Sequence, residues 1–396
     1  MLMATTSTER RERWITMTVF AAIALLYVLF GHYGTDSNID VLATNGPAWQ
    51  LAVNGTLEVD FLEGKTPWLV EDKFGRTVSD RSPGLIATAL PAYLLTRPKN
   101  FTNGPGTFTA LILTLASVYL IFRLVRRELD FPAALIGACV LGLGTLTWST
   151  SAQELWPHGP GQFWAALALT ALAVERYWSA GLAYAAAITL RPVTAVAAAA
   201  LGIAEAWRKR SIAPALKMAA TSAIGVAVVV IYNRWLFGVI NIGGGQGVPF
   251  DEGQLSRYDL GGYLSNLYEM FIGLPNGFLL WSPIVAVAAI GMAMVWRQIP
   301  GWARSGAIAG LVYLLVHAAL NRASGGATMF YRYPLEAITL AAPALIIGGV
   351  HLWRRGPVTE RVVAAAIIAS VMVNLIRGFF ITCYAFSPQA LSCFHV

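Results

Sequence analysis

The segment from Tyr33 to Pro83 reads YGTDSNIDVLATNGPAWQLAVNGTLEVDFLEGKTPWLVEDKFGRTVSDRSP. It holds Asp36, Asp40, Glu58, Asp60, Glu63, Glu71, Asp72 and Asp80, eight of the 21 acidic residues of an otherwise oily chain, with Lys65, Lys73, Arg76 and Arg81 among them. It follows the first apolar run of the chain. Periodic apolar residues and the lack of a low-complexity tract predict that it folds, and a folded loop of this length between spans is usually functional. The segment is expected to carry the active site of a membrane enzyme, with the remaining chain as scaffold.

The composition sets that frame. The 396 residues are 56% hydrophobic and 12% charged, with a mean hydropathy of +0.59, which places the chain among integral membrane proteins. Apolar segments recur along the whole length, so residues 1–396 read as one transmembrane domain, with 33–98 as its extracytoplasmic catalytic loop and interfacial helices. The net charge of +7 does not point to nucleic acid, because the arginines sit at the ends of apolar segments, as the positive-inside rule requires. Arg10, Arg11 and Arg13 precede the first segment. Its run is long and no small-residue cleavage site follows, so it reads as an uncleaved span. Cys139 lies within a span, while Cys383 and Cys393 near the C-terminus are either bridged or two free thiols. No CxxC or Cys/His metal spacing occurs, so no metal and no cofactor are expected.

Placing the Arg/Lys clusters on one side gives an all-α polytopic protein with about eleven spans. These run from Ile15 to Phe30, Thr107–Leu124, Phe131–Leu146, Phe163–Val174, Leu182–Leu190, Val193–Trp207, Ala213–Leu236, Phe271–Val295, Ala307–Leu320, Ile338–Trp353 and Val362–Tyr384. The N-terminus is then inside and the C-terminus outside, in the plasma membrane. Pro83–Leu95 is expected to be an amphipathic helix at the outer interface. The polar residues left over collect on the outer face: the first loop, a short loop with Glu154, Trp156 and His158, the turn at Arg191-Pro192, the Gly238–Glu269 loop, and FYRYPLE with Arg332. The GGGQG run in the Gly238 loop lacks the context of a phosphate-binding glycine loop. Span interiors hold almost no acidic residues, which disfavours an ion-coupled transporter.

Asp40 is followed by VLATNGPAWQLAVN and then Gly55-Thr56-Leu57, and Ser79-Asp80-Arg81-Ser82-Pro83-Gly84 opens the expected interfacial helix. With LGTLTWSTSAQELWPHGPG (Leu143–Gly161), GLPNGFLLWSP (Gly273–Pro283) and FYRYPLEAITLAAP (Phe330–Pro343), this order resembles membrane glycosyltransferases of the GT-C fold. The likeness is to the protein O-mannosyltransferase and lipid A aminoarabinose transferase group. It departs from the family where Arg81-Ser82 replaces the usual Lys-Pro, and in having no large soluble C-terminal domain.

The resemblance implies a polyprenyl-phosphate sugar as donor, used on the extracytoplasmic side. It implies inverting transfer to a hydroxyl of an envelope glycan, glycolipid or protein. Mannose, arabinofuranose and glucose are all compatible. A hydroxyl needs a positioned carboxylate to take its proton, and a lipid-phosphate leaving group needs cationic donors. Asp40 is the candidate base, with Asp36 as the alternative. Arg81, His158, Arg332 and Arg191 are candidate phosphate ligands, supported by Asp80, Tyr331 and Tyr333; Arg257 and Tyr258 are weaker candidates. Each has a plainer role open to it: a helix-start carboxylate for Asp40, an N-cap for Asp36, an aromatic belt with a snorkelling arginine for Arg332. Trp68 or Trp156 can stack on sugar or anchor at the interface. A transporter or flippase of lipid-linked sugars, and a non-catalytic subunit of a glycan assembly, are the rival functions.

Overall fold

A computed structural model describes residues 7–35, 38–244, 260–274, 276–321 and 331–380, with side chains to 377. Asp36, Arg257, Tyr258, Cys383 and Cys393 lie outside the described residues. The chain is helical nearly throughout: α1 (Ser7–Leu29), α2 (Ile39–Val53), α3 (Pro83–Thr96), α4 (Gly104–Val125), α5 (Phe131–Leu143), α6 (His158–Leu172), α7 (Tyr177–Leu190), α8 (Ala195–Lys209), α9 (Ala213–Leu236), α10 (Leu260–Phe271), α11 (Phe278–Trp281), α12 (Pro283–Met294), α13 (Gly301–Leu320), α14 (Leu335–Arg355) and α15 (Pro357–Phe380). Six of these, α1, α4, α9, α13, α14 and α15, are long and apolar enough to cross a membrane. The other expected spans correspond to helices of 12–15 residues, α5 to α8 and α12.

One expected span is interrupted. Phe271–Val295 is not a single helix: the chain breaks after Phe271, makes the short α11, and restarts at Pro283. Gly273, Gly277 and the Ser282-Pro283 step are the cause, since glycine loosens a helix and proline starts one.

The main core joins α4, α6, α7, α8, α13 and α14 through Ile121, Leu124, Leu169, Leu172, Tyr184, Leu201, Tyr313 and Leu340. Backbones approach closely where glycine removes the Cβ. A Cβ on Gly225 of α9 would sit 2.2 Å from the Ala185 carbonyl oxygen of α7. Small residues at such crossings are how helices pack in lipid. Gly225→Val is therefore expected to destabilise the protein by about 1–3 kcal/mol or more, read as a lower unfolding temperature in detergent; unchanged stability would refute this close approach.

The first loop folds against this bundle. Asn38 caps α2 by accepting from the Asp40 backbone N–H at 2.9 Å. Two short strands, β1 (Leu69–Glu71) and β2 (Thr77–Ser79), form an antiparallel hairpin with Leu69 opposite Ser79. Asp72 holds its turn by accepting from the backbone N–H groups of Phe74 and Arg76 and pairing with the Arg76 guanidinium at 2.6 Å. Gly75 supplies the left-handed residue, at φ 78°. Ala48, Leu57, Val78, Ile86, Tyr93, Ala110 and Leu236 make a separate apolar cluster that ties α2, β2 and α3 to α4 and α9. The helix α3 is apolar on both sides rather than amphipathic: Leu85, Ile86, Ala89 and Tyr93 are buried, and Leu94 and Leu95 are exposed. Its inner side needs apolar residues because it packs on α2, α4 and α7. At its start a Cβ on Gly84 would fall 2.5 Å from the Thr189 carbonyl carbon of α7, so only glycine admits this contact.

Candidate active site

Asp40 is the centre of a three-residue ionic group assembled from distant parts of the chain. It lies in the first turn of α2, and because Asn38 makes the cap, its carboxylate is free to turn outward. Arg81, just after β2, donates to one oxygen through Nη2 at 2.7 Å. Arg332, just before α14, donates to the other through Nη1 at 2.9 Å. The Asp40 side chain remains 15% exposed, enough for a hydroxyl to reach it. Burial by itself pushes its carboxyl up, but the positive charges of Arg81 and Arg332 and the Arg332 hydrogen bond outweigh that and hold it below the usual carboxylate range.

Each arginine rests on aromatic faces. The Arg81 guanidinium lies 3.9 Å from the Trp68 ring centroid; that of Arg332 lies 4.8 Å from Trp156 and 5.2 Å from Tyr333. Stacking fixes the planar fork while leaving its edges for anions. Asp80 precedes Arg81 without an ion pair to it; burial, and the neighbouring Asp40 charge, push its carboxyl up despite Arg81. The start of the Gly238 loop closes on this edge, since a Cβ on Gly244 would come 2.9 Å from the Asp80 carbonyl oxygen.

Tyr333 links this centre to a second group. The Arg191 guanidinium lies over its ring, 4.7 Å from the centroid, His317 packs on it with ring centroids 4.3 Å apart, and His158 stands edge-on at 6.0 Å. His158 is not in a loop: it is the first residue of α6 and is buried, its Nδ1 3.0 Å from Glu336 Oε1. The same Glu336 oxygen is 3.8 Å from Arg191 Nη1. Tyr331 faces elsewhere, bonding Ser282 Oγ and the Leu146 backbone N–H. Thus Asp40, Arg81, Arg332, Tyr333, Arg191 and His158 are one connected region, Asp80 borders it, and Tyr331 braces the chain behind it. The helix α2 begins at Ile39, and Asp36, the alternative base, lies outside the described residues.

Glu336 and His317 were not picked out as site residues. Glu336 lies in the FYRYPLE stretch but was hidden by its neighbours, Arg332 and the two tyrosines. His317 had a usable signal: an ionisable residue inside an apolar helix is a functional candidate by default. Among the described residues, no three or more His, Cys, Asp or Glu side chains group to hold a metal ion.

No family model and no curated protein matches the chain. Solved structures do. ArnT from Cupriavidus metallidurans in the apo state is 14% identical with a TM-score of 0.56, covering 89% of this chain and 62% of ArnT. The same protein bound to undecaprenyl phosphate is 15% identical with a TM-score of 0.59, covering 91% and 64%. The Archaeoglobus fulgidus oligosaccharyltransferase tethered to an acceptor peptide is 11% identical with a TM-score of 0.55, covering 91% and 55%. The chain spans less than two thirds of each of these proteins. Likeness at this identity speaks for architecture: the chain is a polytopic α-helical membrane protein with the GT-C fold.

Proposed function

We propose that the protein is a glycosyltransferase that moves one sugar from a polyprenyl-phosphate donor to a hydroxyl of an envelope glycan, glycolipid or protein, with inversion and with Asp40 as general base. The observation that carries this reading is Asp40 held between Arg81 and Arg332. A carboxylate flanked by two stacked guanidiniums offers both groups that the chemistry needs, a proton acceptor and a phosphate clamp. The undecaprenyl phosphate in the ArnT structure and the acceptor peptide in the oligosaccharyltransferase structure support a lipid-phosphate donor and a separate acceptor on this fold.

The steps follow from the residues. With both guanidiniums on it, Asp40 is a weak base. The donor phosphate competes for the same guanidiniums, and each one it draws away makes Asp40 more basic. The acceptor hydroxyl, bonded to Asp40, attacks the anomeric carbon from the face opposite the phosphate while its proton passes to the carboxylate. The C–O bond to phosphate breaks, and Arg81, Arg332 and Arg191 offset the charge growing on the leaving lipid phosphate.

The site lies at the ends of α4 and α14 away from Arg126, which pairs with Glu12, and Arg354, which pairs with Asp130. Under the positive-inside rule those arginines face the cytoplasm, so the site faces outward across the plasma membrane. Purified protein in detergent, given polyprenyl-phosphate mannose, arabinofuranose or glucose with envelope acceptors, is expected to release polyprenyl phosphate and form glycosylated product. Sugar movement seen only in sealed vesicles would instead establish the flippase.

A further inference from the structure

The hydrogen-bond partners of His158 and His317 fix which nitrogen of each ring carries the proton. His158 Nδ1 sits 3.0 and 3.1 Å from the two Glu336 oxygens. A carboxylate only accepts, so Nδ1 carries the hydrogen. Burial disfavours an imidazolium there, and with the nearby Arg191 and Arg332 it outweighs the Glu336 carboxylate, which favours one. His158 is therefore neutral, and its Nε2 presents a lone pair. That atom has the wrong polarity for a phosphate oxygen and the right one for a hydroxyl hydrogen.

His317 is the complement. Its Nε2 lies 3.1 Å from Arg191 Nη2. An arginine only donates, so this nitrogen accepts and the proton is on Nδ1. That Nδ1 is fully buried and among the described residues has no partner, and neither have the buried hydroxyls of Tyr184 and Tyr313. Tyr313 packs on His317 with ring centroids 5.5 Å apart. Buried polar groups are nearly always satisfied, so such a group of orphans calls for an explanation. The arrangement is also built rather than incidental. Gly161, one turn along α6 from His158, lets Glu336 close in, since a Cβ there would be 3.0 Å from Glu336 Oε1.

We propose that the polar ring around Tyr333 is the subsite for the glycosyl group of the donor, with His158 Nε2 accepting from one sugar hydroxyl and His317 Nδ1–H donating to another sugar oxygen. Glu336 is the positioning residue that holds His158 in this tautomer. The inference rests on the donor reading above. It fits the layout: the sugar is bonded directly to the phosphate, and this ring adjoins the arginines that would hold that phosphate, since Arg332 and Arg191 both lie over Tyr333. A ring that offers both donor and acceptor suits a hydroxyl, which is both.

The test is binding in detergent to undecaprenyl phosphate and to its mannose, arabinofuranose and glucose derivatives. Wild type is expected to bind at least one glycosylated lipid more tightly than undecaprenyl phosphate. His158→Asn keeps an N–H where Nδ1 was, so Glu336 stays satisfied, but it deletes the Nε2 acceptor. It should cut that preference about tenfold, the order expected for one lost hydrogen bond in a site built around it. His317→Gln keeps the acceptor for Arg191 and deletes Nδ1–H; it should act likewise, and it decides the matter should His158→Asn not fold. Glu336→Gln should blunt discrimination among the three sugars. The subsite is overturned if no sugar improves on bare undecaprenyl phosphate, or if the folded variants weaken bare and glycosylated lipid equally. Failure of wild type to bind undecaprenyl phosphate at all would instead remove the donor reading, and the subsite with it.

Discussion

Asp40→Asn is expected to leave a folded, membrane-inserted protein that binds donor at least as well as the parent and transfers almost no sugar. The change keeps the size of the side chain and removes its charge. It does not touch helix capping, because Asn38 makes the cap. Two partly buried guanidiniums lose their counter-charge, so a donor phosphate meets less competition and its binding holds or tightens. Chemistry suffers, since an amide cannot take the proton of the attacking hydroxyl. General-base catalysis is worth roughly 10²–10⁴-fold in rate, and the loss should fall in that range, in kcat rather than KM. Rates of product formation with saturating donor measure it. Asp36→Asn is the companion, because Asp36 lies four positions before Asp40 in the same acidic segment and outside the described residues. If Asp36→Asn abolishes transfer while Asp40→Asn spares it, the base is Asp36. If neither loses more than a few-fold, the mechanism is wrong.

The scaffold was legible because its signals are local. Arginine clusters such as Arg126-Arg127, Arg208-Lys209-Arg210 and Arg354-Arg355 fall within a few residues of helix ends and bound the apolar runs. The break after Phe271 was missed because the segment's mean hydropathy hides two glycines and a Ser-Pro step. The site was legible only as separate residues. Asp40 meets Arg332 across 292 positions of sequence, and His158 meets Glu336 across 178. Nothing in spacing alone reports such pairs. Residue type marked Asp40 and Arg332 as candidates, but their joining depends on how α2 and α14 pack in the bundle. Glu336 shows the converse. A glutamate in the first turn of a helix reads as a favourable dipole partner, and only the buried arrangement with His158 and Arg191 gives it another role.

Arg332→Ala is expected to weaken donor binding about ten- to a hundredfold, because a lost hydrogen bond to a charged group costs roughly 1.5–3 kcal/mol. Two observed contacts go, the bond to Asp40 at 2.9 Å and the stacking on Trp156 and Tyr333, and with them the proposed third, the contact to phosphate. The first two are shared with any plain structural arginine, so affinity for undecaprenyl phosphate is the measurement that tests the proposed third. Arg332→Lys sharpens it. Lysine keeps the charge but not the planar fork, and cannot bond Asp40 and phosphate in one plane; it should recover only part of the affinity. Raised salt should weaken wild-type binding less than it would at an exposed site, since the Arg332 side chain is 12% exposed. Arg191→Ala should cost less than Arg332→Ala, because Arg191 already spends its contacts on His317 and Glu336. A folded Arg332→Ala protein with unchanged affinity would return this residue to the aromatic belt and leave Arg81 as the phosphate ligand beside Asp40.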